Sequence, residues 1–169
     1  MLKFLPKNFP WHFPRRKKEE GKKGKKDILI CEKCGAFYWY KSWHHNLEDY
    51  PHLKEDKDLQ FTLCPACRME KEGRYEGEVL LENVKEEIKE EVQNLIQNFA
   101  QKAYQRDPMD RIILIEEIAK GMIRILTTEN QMAKKIAKKL RRTYKARVKI
   151  IYSKNSKKEA ILRAKVVFP

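Results

Sequence analysis

The stretch Ile30-Cys31-Glu32-Lys33-Cys34-Gly35-Ala36-Phe37-Tyr38-Trp39-Tyr40 places two cysteines three positions apart and runs directly into four consecutive aromatic residues. The only other cysteines, Cys64 and Cys67, lie in Leu63-Cys64-Pro65-Ala66-Cys67-Arg68, so the whole complement is CxxC, a gap of 29 residues, and CxxC. Two such turns supply four thiolates, the number a tetrahedral zinc ion requires, and each turn aims both sulfurs at one point. The gap exceeds the zinc-ribbon spacing of about 15 to 20 residues, which implies a loop or small insertion between the knuckles.

Other uses of the thiols fit less well. The opening segment MLKFLPKNFPWHFPRRKK is broken by three prolines and lacks the apolar run of about 7 to 15 residues that marks a secretory signal. The expectation is therefore a cytoplasmic chain with reduced thiols rather than two disulfides. A redox CxxC needs one pair and a thioredoxin-like strand–helix setting, which Gly35-Ala36 and the aromatics do not provide. An iron–sulfur cluster is the remaining alternative. Four thiolates close the coordination shell, so the zinc expected at Cys31, Cys34, Cys64 and Cys67 is structural and activates no water. A histidine ligand from His44, His45 or His52 is then unnecessary.

Outward from the knuckles, 169 residues at 41% hydrophobic content suffice for one modest core and a small metal-stabilised module. No apolar run approaches the length of about 20 residues that crosses a bilayer, so a membrane is not among the expected partners. Charged residues make up 37%, as in many thermophile proteins. The net charge of +14 is unevenly placed: residues 1–26 carry +8, residues 129–169 carry +12, and the middle carries −6. Basic blocks around an acidic middle are the footprint of a polyanion-binding chain.

Three regions follow. Residues 1–26 mix aromatics, prolines and lysines without a period of 2 or 3.6 and read as a disordered basic arm. Residues 27–75 read as a zinc ribbon of two β-hairpins, each knuckle following a short apolar lead. Residues 76–169 read as an αβ domain. There GEVLLEN is a strand, and Asn83 with Glu86 forms a capping box opening a helix to about Gln105. Asp107-Pro108 starts a second helix carrying Ile112, Ile115 and Ile118 and ending at Gly121. MIRILTT is a strand, and Thr128 to Gln131 caps a helix running to about Lys145. ARVKIIYS and EAILRAKVVF are closing strands around the turn KNSKK. The fold class is α+β, a zinc ribbon followed by a ferredoxin-like sandwich with helices on one face of a four-stranded sheet.

Within the last helix Met132, Ile136, Leu140 and Tyr144 recur every four residues and form a buried stripe, flanked by Ala133 and Ala137. The other faces carry Lys134, Lys135, Lys138, Lys139, Arg141, Arg142 and Lys145 with almost no compensating acid. A solvated face alternates sign, whereas seven like charges repel, so these residues are expected to contact phosphates. Arg147 and Lys149 on the next strand and Lys154, Lys157 and Lys158 in the turn extend the charge. Beside the first knuckle, neighbours on a strand point to opposite faces, so Phe37 and Trp39 fall on one side and Tyr38 and Tyr40 on the other. Exposed rings near Lys33 and Lys41 are platforms for unpaired bases, and Tyr38 and Tyr40 are the candidates. No nucleophile, acid pair or phosphate-binding glycine loop suggests an enzyme.

Taken together, CEKCGAFYWYKSWHH, LCPACR and RDPMDRIILIEEIAKGMIRILTTENQMAKKIAKKL resemble small prokaryotic zinc-ribbon proteins related to the N-terminal region of the large-ribosomal-subunit export adaptor of the nonsense-mediated decay protein 3 type. The resemblance covers residues 28–168 and rests mainly on the knuckles and ILTTENQMAKKI. It implies binding to ribosomal RNA or the large ribosomal subunit. This chain has a single pair of knuckles and no long C-terminal extension, so export is not implied. The alternative is an adaptor whose ribbon recognises a protein partner, with the charge only steering encounter.

Overall fold

The computed structural model describes residues 28–53, 59–154 and 160–169. The basic arm and most of the KNSKK turn lie outside them. Among the described residues the fold is mixed αβ, with two sheets and three α-helices.

The candidate metal module opens with β1 (Ile28–Cys31), β2 (Phe37–Trp39) and β3 (Ser42–His44). Two 3-10 turns follow, and then β4 (Leu59–Thr62). The sheet runs β3-β2-β1-β4, with β1 and β4 parallel. Parallel pairing departs from the expected pair of hairpins, and so does the second knuckle, which opens helix α1 (Pro65–Glu72). The reason is local. Cys64 is the N-cap and accepts from the Cys67 N–H, Pro65 sits where its missing N–H costs nothing, and Gly73 closes the helix at φ 63°.

The αβ domain follows as β5 (Gly77–Glu82), α2 (Glu86–Arg106), β6 (Ile112–Ala119), β7 (Met122–Thr127), α3 (Asn130–Tyr144), β8 (Arg147–Lys154) and β9 (Ala160–Val167). Five strands, not four, form the sheet in the order β6-β7-β5-β9-β8, because β6 adds an edge beside β7, while the closing pair is a hairpin whose second strand pairs parallel with β5. Strand β5 alternates buried and half-buried residues. Val79 and Leu81 face a core shared with Val92 and Ile96 of α2, Met132, Ile136 and Leu140 of α3, and Leu162 and Val166 of β9. Among the described residues no helix is long and apolar enough to cross a membrane.

Two local readings change. The segment after Pro108 is strand β6, not a helix. Its isoleucines sit three apart, but Ile112-Ile113 and Ile115 are β-branched, a type that packs well on a pleated surface. It pairs antiparallel with β7 through two register shifts, which blur the period of two. Both capping boxes are also absent. Asn83 takes a left-handed conformation with φ 60° and α2 starts three residues later, while α3 has Glu129 at its N-cap without a side-chain bond. Gly77 lies under the start of α3: a Cβ there would collide with the Thr127 hydroxyl and stand 2.6 Å from Ala133 Cβ.

Candidate metal centre and basic surface

The two knuckles bring their sulfurs together. The Sγ atoms of Cys31, Cys34, Cys64 and Cys67 all lie within 4.8 Å of one another, close enough to hold a metal ion. Cys34 and Cys64 are 3.8 Å apart, the edge of a tetrahedron whose metal–sulfur bonds are about 2.3 Å. Backbone geometry supports thiolates: the Cys64 N–H donates to Cys31 Sγ at 3.3 Å and the Cys67 N–H to Cys64 Sγ at 3.4 Å. The Gly35 N–H bonds back to the Cys31 carbonyl, with Gly35 at φ 74° tightening the first turn.

Packed this closely, the thiols do not ionise independently. The hydrogen bond from Cys34, followed by those from Cys64 and Cys67, holds Cys31 well below the ordinary thiol range. Cys31 first, and then Cys34, push Cys64 and Cys67 far above it. A cation at the centre removes that conflict, since it favours the thiolate at all four positions. His44 bonds to Ser42 Oγ and the Trp39 carbonyl, and the His45 ring N–H donates to the Tyr104 carbonyl. Neither is placed as a ligand.

Arg111, which the sequence did not single out, completes the site from the αβ domain. Its Nη2 donates to Cys34 Sγ at 3.1 Å and its Nη1 to Cys67 Sγ at 3.3 Å. The guanidinium lies over the Tyr104 ring at 5.3 Å and stands 3.6 Å from Glu70, which also pairs with Lys33 at 2.7 Å. Lys33 is thus tied to helix α1 rather than standing free beside the aromatics.

The three rings of β2 alternate as strand geometry requires, whereas Tyr40, beyond the strand end, lies 5.7 Å from Trp39 rather than pairing with Tyr38. Phe37 is fully buried against Ile28 and Leu53, with Trp39 partly buried beside it. Tyr38 stacks on Trp43 at 5.5 Å, and Trp43 packs on the cysteine cluster. Tyr40 is 77% exposed. It and Lys41 form the β2–β3 turn, with φ values of 47° and 67°, the left-handed pair that a tight two-residue hairpin demands.

Helix α3 buries Met132, Ala133, Ile136, Ala137 and Leu140. Tyr144 packs on Phe168 and donates to Glu91 at 3.0 Å. Lys134 is half-buried, and Lys135, Lys138, Lys139, Arg141, Arg142 and Lys145 are exposed. Their spacing forms two adjacent stripes, Lys134/Lys138/Arg141/Lys145 and Lys135/Lys139/Arg142. Among the described residues none of the seven has an acid within 4 Å. Arg147 and Lys149 are exposed but lie on the sheet face away from α3, since the intervening Val148 and the following Ile150 pack into the helix-side core. They join the helix charge only around the β8 edge. No model of a known protein family matches the chain, and no curated protein matches it.

Proposed function

We propose that the chain is a non-enzymatic, zinc-stabilised protein that binds structured RNA, with ribosomal RNA or the large ribosomal subunit as its partner. The observation that carries this reading is α3, whose buried stripe fixes the helix on the sheet while six exposed cations and the half-buried Lys134 have no acid within 4 Å among the described residues. Like charges at i, i+4 destabilise a helix, and a phosphate backbone relieves that repulsion while releasing its own counterions. Tyr40 on its turn, beside Trp39, adds a ring open to stacking, and the half-buried Tyr38 is the second candidate. Four thiolates at tetrahedral spacing suit Zn²⁺ in a closed, structural site. We read the αβ domain as a ferredoxin-like sandwich extended by β8. The resemblance of the knuckles and of ILTTENQMAKKI to ribosomal-subunit adaptors points to ribosomal RNA among polyanions.

One observation favours the protein-adaptor alternative: β4 is an edge strand of the metal module, and Leu59 and Phe61 on it are exposed. Co-sedimentation of the full chain with large subunits across a salt series separates the two. Phosphate binding weakens log-linearly and steeply with salt. Binding that persists with little change would assign the contact to apolar anchors and overturn the RNA reading.

A further inference from the structure

The loop between α2 and β6 is built to hold one side chain against the cysteine cluster. Asp107 Oδ1 accepts the Met109 N–H at 2.8 Å, and the Arg111 Nε–H donates to the Pro108 carbonyl at 2.7 Å. Thr128, 2% exposed just past the end of β7, binds the loop through both its hydroxyl and its backbone N–H. Its hydroxyl donates to the Met109 carbonyl at 2.6 Å and accepts the Arg111 N–H at 2.9 Å, and its own N–H donates to the Arg111 carbonyl at 3.0 Å. The second threonine of ILTT, Thr128, is therefore spent on the loop rather than on capping α3. Met109 packs against the cysteine cluster, and His45 meets Tyr104 edge-on at 4.8 Å. The Met109 and His45 contacts join the αβ domain to the metal module, and the hydrogen bonds within the loop hold Arg111 where it reaches across.

We propose that Arg111 is the outer-sphere charge partner of the four-cysteine metal site, so that loading the ion and seating the metal module on the αβ domain are one coupled event. Four thiolates around a divalent ion carry two net negative charges, where the same groups as thiols carry none. The Arg111 side chain is only 12% exposed, and Glu70, 3.6 Å away, is shared with Lys33 at 2.7 Å, so the nearer sulfurs, at 3.1 and 3.3 Å, are left to supply the rest of the anionic charge that a covered cation requires. Its planar fork reaches two sulfurs at once, as an ammonium cannot. Outer-sphere donors of this kind orient ligands and tune the ion. Coupling is reciprocal, so the docked αβ domain raises metal affinity by the factor by which the metal tightens docking.

This inference rests on the metal reading of the cysteines and not on RNA binding. The test uses the full chain, Zn²⁺ competition against a chromogenic chelator at fixed pH, and amide hydrogen exchange with and without Zn²⁺. Arg111→Met should weaken Zn²⁺ binding by about 10- to 100-fold, with Arg111→Lys between it and the parent. In the parent, Zn²⁺ should slow exchange in residues 104–111 and 126–130 as well as in the knuckles. In Arg111→Met the slowing should persist in the knuckles and vanish in the αβ domain. Unchanged affinity with unchanged αβ protection would overturn the proposal. Should Arg111→Met fail to fold, Thr128→Val, which keeps the guanidinium but frees its loop, carries the same test: weaker Zn²⁺ binding supports the coupling and parent affinity refutes it. A parent chain that binds no Zn²⁺ overturns both this proposal and the metal reading.

Discussion

Replacing Lys134, Lys138, Arg141 and Lys145 together by Gln removes one complete cationic stripe of α3 and leaves Met132, Ile136 and Leu140 in place. None of the four has an acid within 4 Å among the described residues, so no buried partner is stranded. Gln keeps helix propensity close to that of Lys and Arg. Several repulsive i, i+3 and i, i+4 pairs disappear, each costing about 0.2 to 0.5 kcal/mol, and thermal stability should hold or rise. A cation that no longer neutralises its phosphate lowers the slope of log K against log salt by about one unit. If all four side chains grip phosphates, the slope falls by about four units and binding weakens about 10³-fold at 0.15 M salt; if two do, the weakening is about 30-fold. The effect should be the same for different RNA sequences, because backbone interactions carry no base information. Fluorescence anisotropy on ribosomal RNA fragments over a salt series measures both quantities, with circular dichroism as the folding control. A folded variant with the parent slope and affinity would refute the reasoning and leave the charge as a solvated face.

Cys64→Ser should abolish metal binding and unfold the metal module while the αβ core, a separate cluster, remains; elemental analysis and hydrogen exchange by region check this, and a parent chain without metal contradicts it. Gly77→Ala should destabilise the αβ domain by about 1 to 3 kcal/mol in urea unfolding, because its Cβ meets Thr127 and Ala133 beneath α3. Tyr40→Ala, at a 77% exposed ring, should retain metal and fold but bind RNA more weakly by about 1 to 3 kcal/mol; unchanged affinity returns Tyr40 to a turn residue.

The legible parts of the sequence were those whose signal is local and redundant. Cys31, Cys34, Cys64 and Cys67 announce a site by spacing alone, and α3 announces itself by a stripe every four residues opposite uninterrupted charge. Strand β6 misled because it lies at the sheet edge: Leu114 and Ile118 remain exposed there, so apolar residues occupy both faces and isoleucines three apart imitate a helix. Pro108, which suggested a helix start, instead lends its carbonyl to Arg111. The helical second knuckle did have a signal, in Pro65 behind Cys64 and Gly73 after the last turn. Arg111 had none. It lies 77 residues from Cys34 and 44 from Cys67, and only tertiary packing brings an isolated arginine to the sulfurs. For the same reason Arg147, a near neighbour of Lys145 in sequence, was read as an extension of the helix charge, although alternation along β8 turns it to the other face.

The central claim is that α3 and the aromatic hairpin together meet RNA, and ultraviolet crosslinking in cells, followed by sequencing of the RNA and mapping of the modified peptides, tests it most directly. The account predicts crosslinks to ribosomal RNA of the large subunit, with modified peptides from residues 130–145 and from the turn at Tyr40 and Lys41. Crosslinks confined to other surfaces, such as the acidic first turn of α2 at Glu86 and Glu87, or the absence of crosslinked RNA, would contradict it.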